Sequence, residues 1–354
     1  MKAFLILEDG TVFTGTSIGS TKSVISEIVF NTSMTGYLEV LTDPSYAGQA
    51  VVMTYPLIGN YGITPDMESA QPWPDGYIVR ELSRIPSNFR CQGTVQDFLK
   101  EHDIPGIAGI DTRALTKILR EKGTMNGMIT TDENYKLDEI LPQLHVYNTG
   151  NVVDKVTCSE KEVLKADGYK VALLDFGAKN NIAQSLHKRG CEVTIYPAHT
   201  TAEEILASNP DGIMLSNGPG DPKACTDIIK EVKKLYDSEV PIFAICLGPQ
   251  LMALATGADT YKLKYGHRGG NHPVKDLETG RVYISSQNHG YAVDAESLDP
   301  AVAVPAFTNV NDGTNEGLKY TGKNIFTVQF HPEACPGPQD SGYLFDRFLD
   351  MMSK

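Results

Sequence analysis

The sequence has few of the features that mark secreted, zinc-stabilised or membrane proteins. Its six cysteines are spread along 354 residues with no C-x-x-C pair and no regular spacing, which argues against a disulfide framework and a structural zinc site. No uninterrupted apolar run approaches the roughly 20 residues that span a bilayer, and the apolar stretch at the amino terminus is too short for a secretory signal. We therefore expect a cytoplasmic protein that does not contact membranes.

Positive charge is also scarce. Lysine and arginine number 31 against 44 aspartates and glutamates, which gives a formal net charge of −13. A chain with this balance repels polyanions, so nucleic acid is not an expected partner. The 41% hydrophobic and 21% charged content is that of a folded protein, and the length suits about two domains at ~150 residues each.

Two regions of different pattern follow one another along the chain. In the first, apolar segments flank Asp9-Gly10, which favours a hairpin turn, and Asp111 and Gly123 are placed to cap the ends of one helix. Residues 131–168 are polar and weakly periodic, as is typical of a connector with one short helix. We place a β-rich α/β domain at 1–150, a linker at 151–168 and a second domain at 169–354.

The second domain alternates apolar strands with amphipathic helices. Strands are predicted at 170–174, 191–196, 213–215 and 240–245, and helices at 178–189 and 227–236, with a capping box at Thr201 and Glu204 before a further short helix. This rhythm predicts an α/β fold with a doubly wound, mostly parallel sheet. Ligands of such sheets bind beyond the carboxyl ends of the strands, so the loops there should carry the chemistry.

A cysteine stands at one of these strand ends. The segment 241–250 predicts a buried strand, a sharp turn at Cys246 and a helix, with Ala244 and Gly248 small enough for strand and helix to approach closely. The positive end of that helix favours a thiolate. A lone cysteine after an apolar strand is more often structural, so its partners must decide between the two interpretations.

Two further loops offer such partners. Residues 216–222 form a glycine-rich loop in which Gly218 and Gly220 can turn backbone N–H groups towards one anion, either a phosphate or the oxyanion of a tetrahedral intermediate, although an ordinary tight turn is equally compatible. After an apolar strand predicted at 327–330, His331 and Glu333 lie two residues apart. In extended chain they would face the same side, so that the carboxylate could orient the imidazole.

The three motifs together resemble the class I, or triad, glutamine amidotransferases, which have a flavodoxin-like fold. The motifs are Ala-Ile-Cys246-Leu-Gly-Pro-Gln250, Ser-Asn-Gly218-Pro-Gly220-Asp-Pro and Phe-His331-Pro-Glu333-Ala. The resemblance narrows to the small, glutaminase subunits of carbamoyl phosphate synthetases because further segments match that group over nearly the whole chain. These segments are residues 29–37, 41–49, 54–60, 109–116, 265–273 and 286–294.

The resemblance implies a role for each residue of these motifs. Cys246 would be the nucleophile, His331 the acid and base, and Glu333 the carboxylate that orients His331. The backbone N–H groups of Leu247 and Gly218 would be the oxyanion donors. Glutamine would be bound by Ser45, Gly218, Gly220, Leu247, Gln250, Asn288, Gly290 and Tyr291. Of these, Ser45 would bring the first domain, which also carries the partner interface, to the rim of the active site.

The resemblance also implies a partner. No segment fits the phosphate-binding pattern G-x-x-x-x-G-K-[ST], so no cofactor is expected on this chain. ATP and Mg²⁺ would act on a large synthetase subunit, which would receive the ammonia through an internal tunnel and form carbamoyl phosphate from it and bicarbonate. We expect a heterodimer with that subunit, or a higher oligomer built from it.

Three positions depart from the family pattern. Ala244 stands where glycine is usual, Pro249 where histidine is usual, and Cys335 where serine is usual. Alanine is still small, and proline is tolerated in the first turn of a helix because its missing N–H has no intrahelical partner there. Cys335 could be a second oxidisable thiol close to His331.

Two other functions and one other site remain to be weighed. The chain could be a non-catalytic regulatory subunit with the same fold, but it retains Cys246, His331 and Glu333 together. It could be a stand-alone γ-glutamyl hydrolase, which the large first domain and the lack of a secretion signal disfavour. The spacing of His267, His272 and His289 matches no metal-ligand pattern, so we expect hydrogen-bonding loop residues and no metal site.

Overall fold

The structure is a computed structural model that describes residues 1–334 and 337–353. The chain divides into two compact units, Met1–Thr149 and Gly150–Lys354. Each unit has a hydrophobic core of its own. The segment 151–168, predicted as a linker, contributes one helical turn and one strand of the second unit's sheet.

The first unit is built around a closed β-barrel. Its strands are β1 (Lys2–Leu7), β2 (Val12–Ser17), β3 (Val24–Asn31), β4 (Gln49–Met53), β5 (Leu57–Ile58), β6 (Gly76–Val79), β7 (Glu81–Leu82), β8 (Gly106–Ala108) and β9 (Met125–Thr130). The barrel order is β1-β2-β8-β6-β4-β3-β9, and β5 and β7 form a separate pair. The helices are α1 (Tyr37–Thr42), α2 (Val95–Glu101), α3 (Thr112–Lys122) and α4 (Leu137–Val146).

Local sequence explains two features of this barrel. The β1–β2 hairpin turns at Gly10, which has a φ of +84° that suits glycine. Helix α3 starts at Asp111, whose carboxylate accepts the Ala114 N–H at 3.0 Å, and it ends at Gly123 with a φ of +104°. Both predictions are confirmed, whereas the segment predicted as a connector with one short helix contains α4, a second helix and a strand.

The second unit is a ten-stranded sheet with helices on both faces. Its strands are β10 (Glu162–Leu164), β11 (Lys170–Asp175), β12 (Glu192–Pro197), β13 (Gly212–Leu215), β14 (Ile242–Ile245), β15 (Thr260–Asp276), β16 (Val282–Val293), β17 (Ala303–Asn309), β18 (Asn315–Tyr320) and β19 (Ile325–Val328). The helices are α5 (Val153–Val156), α6 (Asn180–His187), α7 (Ala202–Ala207), α8 (Thr226–Asp237), α9 (Leu247–Ala255) and α10 (Tyr343–Met352).

The sheet has a parallel centre and antiparallel flanks. The order is β10-β12-β11-β13-β14-β19-β18-β17-β15-β16, and the five strands from β12 to β19 run parallel. Helices α7, α8 and α9 pack on one face, and α6 and α10 on the other. Strands β11, β13, β14 and β19 are buried on both faces, as expected for a doubly wound sheet, and the carboxyl ends of the parallel strands meet at one edge.

Candidate active site

Cys246 occupies a strained turn between the central strand β14 and helix α9. Its φ of +57° is rare for a residue with a side chain and costs of order 1–3 kcal/mol, so the surrounding fold must hold it there. A Cβ on Gly248 would lie 2.7 Å from the Leu215 carbonyl oxygen and 3.0 Å from Cβ of Ala244. Only glycine therefore fits at 248, and the small side chain at 244 leaves room for the helix.

Helix α9 accommodates the unusual proline. Pro249 is buried in the first turn of this helix. An N–H at that position would have no carbonyl acceptor within the helix, so the N–H that proline lacks is not missed, and the helix continues unbroken to Ala255. The Gly248 N–H donates to the Ser216 carbonyl at 3.1 Å, which fastens the elbow to the glycine-rich loop. Substitution of histidine by proline therefore leaves the turn at Cys246 intact.

His331, Glu333 and Lys179 form a buried charged chain. His331 Nδ1 lies 2.6 Å from Glu333 Oε1, and Lys179 Nζ donates to the same oxygen at 2.7 Å. All three side chains are at most 3% exposed. Burial alone would raise the pKa of Glu333, but the charges of Lys179 and His331 and their hydrogen bonds lower it to about 2. Glu333 is therefore an ionised acceptor that fixes the orientation of the imidazole.

The contact between His331 and Glu333 is made by a turn and not by extended chain. Strand β19 ends at Val328, two residues before the predicted end, and the Ala334 N–H donates to the His331 carbonyl at 3.3 Å. The strand ends early because His331 pairs with another segment, its N–H donating to the Ser286 carbonyl at 2.9 Å. Pairing of the two side chains was predicted correctly, but the backbone reason given for it was wrong.

The loops that carry Cys246 and His331 follow neighbouring parallel strands. Strands β14 and β19 pair with Ile245 opposite Val328, and the Cys246 N–H donates to the Val328 carbonyl at 2.9 Å. Among the described residues, no group hydrogen-bonds the buried Nε2 of His331. The nitrogen opposite Glu333 is therefore available for proton transfer at the sheet edge where the cysteine lies.

The two residues predicted as oxyanion donors lie close to each other. A Cβ on Gly218 would lie 2.3 Å from the Phe176 carbonyl oxygen and 2.7 Å from Cδ2 of Leu247. The backbone of Gly218 is therefore pressed between the loop after β11 and the first residue of α9. The N–H groups at the start of a helix have no intrahelical acceptor, which makes the Leu247 N–H a suitable donor to an anion.

Most of the predicted glutamine-binding residues lie around the same edge. Asn288, Gly290 and Tyr291 are on β16, and the Cys246 thiol donates to the Asn288 carbonyl at 3.6 Å. Gln250 Nε2 donates to the Tyr291 carbonyl at 2.8 Å. Gly220, with a φ of +90°, ends the glycine-rich loop. Ser45 belongs to the first unit, in a short 3₁₀ turn where its N–H donates to Asp43, and its role towards glutamine stays a prediction.

Sequence reasoning missed two residues of this site. Lys179 lies in the loop after β11. Its side chain contacts Glu333, and its backbone N–H donates to Asn217 Oδ1 at 3.0 Å, which connects this loop to the glycine-rich loop. Gln329 donates from Nε2 to the Cys246 carbonyl at 3.1 Å and accepts from Gln250 Nε2 at 3.0 Å. Lys179 lies in the loop that follows a parallel strand, so the rule that predicted the other loops could have pointed to this loop, but not to the ion pair between Lys179 and Glu333.

Four other sequence predictions concern three histidines, a metal site, Cys335 and membrane contact. His267, His272 and His289 were predicted on loops, but they lie on β15 and β16, two long strands that the sequence pattern did not predict. Among the described residues one group could hold a metal ion, formed by His267, His289 and Glu316. Cys335 lies outside the described residues. Within residues 1–334 and 337–353, no helix is long and apolar enough to cross a membrane.

Comparisons with known proteins agree with this geometry. The family model described as carbamoyl-phosphate synthase small chain, CPSase domain, matches residues 5–129, and the model for glutamine amidotransferase class-I matches residues 172–351. Carbamoyl phosphate synthase small chains from Clostridium perfringens, Listeria monocytogenes and Oceanobacillus iheyensis are 52%, 51% and 51% identical to this chain. They match over 99% of this chain and over 99%, 97% and 96% of their own lengths. This chain therefore belongs to the family of carbamoyl-phosphate synthase small chains, and its second unit is a class I glutamine amidotransferase domain.

Proposed function

We propose that this chain hydrolyses the side-chain amide of L-glutamine to glutamate and ammonia, with Cys246 as the nucleophile. The observation that carries this proposal is the buried Lys179–Glu333–His331 chain, which follows the strand next to the one that ends at the strained elbow of Cys246. A cysteine paired with a base that a third group orients is the arrangement required for acyl transfer.

In the first half of the reaction His331 Nε2 takes the proton of the Cys246 thiol, the resulting thiolate attacks the amide carbon, and the carbonyl π electrons move to oxygen. The N–H groups of Leu247 and Gly218 stabilise that oxyanion. When the tetrahedral intermediate collapses, the C–N bond breaks and His331 Nε2 gives its proton to the departing ammonia. The product is a γ-glutamyl thioester on Cys246.

In the second half His331 acts as a base. Its neutral Nε2 takes a proton from a water molecule, the oxygen attacks the thioester carbon, and the C–S bond breaks to release glutamate and restore the thiolate. Glu333 accepts the hydrogen bond from Nδ1 in both halves, which keeps Nε2 directed at the reacting atoms. Gly220, Gln250, Asn288, Gly290, Tyr291 and Ser45 would bind the substrate.

The ammonia serves a partner in this proposal. The relatives are named small chains of a carbamoyl phosphate synthase, which supports a heterodimer, or a higher oligomer, with a large synthetase subunit, and we propose that this complex is cytoplasmic. That subunit would hold the ATP and Mg²⁺ and combine ammonia with bicarbonate. Family membership favours this role over a stand-alone γ-glutamyl hydrolase or a non-catalytic subunit.

The test is Cys246→Ser in the complex with the large subunit, assayed for carbamoyl phosphate with glutamine and with ammonium. We expect glutamine-dependent synthesis to fall by at least about 10⁴-fold, as for loss of a nucleophile in other acyl-transfer enzymes, and ammonium-dependent synthesis to be retained. Retained synthesis from glutamine would exclude Cys246 as the nucleophile. Loss of both activities would show that the residue does more than hydrolyse glutamine.

A further inference from the structure

The proposed glutamine-binding strand has an interrupted hydrogen-bond ladder. Strand β16 is last in the sheet order, and among the described residues its only ladder is with β15, apart from one isolated bridge between Ser286 and His331. The register passes from Lys262 opposite Tyr291 to His267 opposite His289, so β15 bulges where Gly290 lies. An edge strand with a bulged partner needs other contacts to keep its shape.

One imidazole supplies contacts on both sides of Gly290. His289 is buried, its Nδ1 lies 2.8 Å from the Tyr291 carbonyl oxygen, and its Nε2 lies 3.1 Å from Gln287 Oε1. The ring packs edge-on against that of His267, with 4.9 Å between centroids. The orientation of His289 therefore determines the path of the chain from Gln287 to Tyr291, and His267 determines the orientation of His289.

Beneath the two histidines lies a carboxylate from the interior of the sheet. Glu316 on β18 is fully buried, and its Oε1 accepts from Asn309 Nδ2 at 3.0 Å and from His267 Nδ1 at 3.3 Å. The same oxygen lies 3.9 Å from His289 Nε2. On its other side His267 Nε2 donates to Asp312 Oδ2 at 2.8 Å. His267 thus bridges two carboxylates as an imidazolium.

We infer that Glu316 and His267 are positioning residues for glutamine: their buried ion pair fixes His289 and, through it, the strand segment 287–291. This inference rests on the proposed function, because it takes that segment to be where glutamine binds. A second link supports it. The Gln329 N–H donates to the Glu316 carbonyl at 2.8 Å, and the Gln329 side chain contacts both Gln250 and the Cys246 carbonyl.

The protonation of His267 makes the inference testable by pH. Burial alone would lower the pKa of His267, but hydrogen bonds and charge from Asp312 and Glu316 raise it to about 9. A raised pKa means that the ion pair is present at neutral pH and is lost only as pH rises through about 9. The charged or titratable groups around the ring are Asp312, Glu316, His289, His272 and Arg268.

The side chains of His267, His289 and Glu316 could instead hold a cation, since their ligand atoms lie within 4.8 Å of one another. The hydrogen bonds favour a proton. With Asp312 on one nitrogen of His267 and Glu316 on the other, both nitrogens carry hydrogen, and a protonated Nδ1 cannot bind a metal. Stoichiometric zinc in the purified protein would therefore overturn the inference.

The experiment is Glu316→Gln in the complex with the large subunit, with glutamine-dependent carbamoyl phosphate synthesis measured between about pH 6.5 and 8.5, around the ordinary pKa of histidine. Without the Glu316 carboxylate, the pKa of His267 falls, and the ring loses its charge at a lower pH than in the wild type. We expect KM for glutamine to rise about tenfold at the alkaline end, the size of losing one charge-assisted hydrogen bond, and kcat to change less than about twofold. The ratio of variant to wild-type KM should grow with pH.

Asp312→Asn is the second variant, because Asp312 is half exposed and its substitution threatens folding less. It should raise KM in the same direction but less. Glu278→Gln, at an exposed carboxylate in the hairpin between β15 and β16, is the matched control and should leave KM unchanged. An unchanged KM in both cluster variants, or a rise that is the same at every pH, would contradict the inference. Failure of the proposed function would be seen separately, as glutamine-dependent synthesis that survives Cys246→Ser.

Discussion

Two parts of the proposed site are held in place by different means: the catalytic corner, formed by Cys246, His331, Glu333 and Lys179, and the glutamine-binding strand, which is segment 287–291. Cys246 and His331 follow adjacent parallel strands in the middle of the sheet, and Lys179 and Glu333 stabilise the imidazole with a buried ion pair. The segment 287–291 lies on an edge strand, and buried side chains replace part of its ladder. In the proposed function, the parallel centre of the sheet would carry the chemistry and the edge strand would carry glutamine recognition. Changes in the corner should alter kcat, and changes in the strand should alter KM.

Substitution of the base should produce the largest effect after loss of the nucleophile. His331→Asn removes the group that protonates ammonia and activates water, so we expect kcat for glutamine hydrolysis to fall by about 10³-fold or more. KM should change little, because His331 lies in the corner and not on the strand. Steady-state assay of glutamate release measures both constants. Turnover close to that of the wild type would remove His331 from the mechanism.

The ion pair behind the base should matter less than the base itself. Glu333→Gln keeps the shape of the side chain but leaves Lys179 buried without its carboxylate, and we expect kcat to fall by roughly 10- to 100-fold. Lys179→Met should have a smaller effect, because Glu333 can still accept from His331. The double variant should be less impaired than the product of the two single effects, since the residues act as a pair.

Single-turnover assays of glutamine hydrolysis, with the melting temperature of each variant, separate catalysis from stability in this series. If Glu333→Gln changed KM and left kcat intact, the corner and the strand would not be functionally distinct. Strictly additive effects of the two substitutions would show that Lys179 acts elsewhere.

Substitution of a residue in the glutamine-binding strand should have the smallest effect on the kinetic constants. A Cβ at Gly290 would lie 3.2 Å from the Arg268 guanidinium, tighter than ordinary contact, so Gly290→Ala should shift the strand slightly. We expect KM for glutamine to rise about threefold to tenfold and kcat to stay within about twofold of the wild-type value. Gly93→Ala, where an added Cβ meets nothing within 4 Å, is the control. A loss of kcat with unchanged KM would contradict the proposal that the strand affects glutamine binding and the corner affects catalysis.

The catalytic loops could be predicted because each is a contiguous motif at the end of an apolar strand. The cysteine elbow, the glycine-rich loop and the His331–Glu333 pair are all recognisable within seven to ten residues of sequence. The tight approach at Gly248 and the two caps of α3 were also predictable, because each follows from local geometry.

The rest depends on contacts between distant segments. Lys179 meets Glu333 across more than 150 residues of sequence, and nothing in the run before Lys179 marks it as a buried cation. The barrel of the first unit closes by pairing β1 with β9, at opposite ends of that unit. The turn at His331 accompanies a hydrogen bond from its N–H to the carbonyl of Ser286, which is distant in sequence. No local pattern specifies such long-range pairings, so the sequence alone could not reveal them.

The most direct test of the account is to trap the acyl-enzyme. The complex is mixed with glutamine, quenched in acid within a turnover and digested, and the cysteine peptides are examined by mass spectrometry. We expect a γ-glutamyl adduct on the peptide containing Cys246 and no adduct in the Cys246→Ser variant. An adduct on another cysteine, or glutamine turnover without any adduct on Cys246, would contradict it.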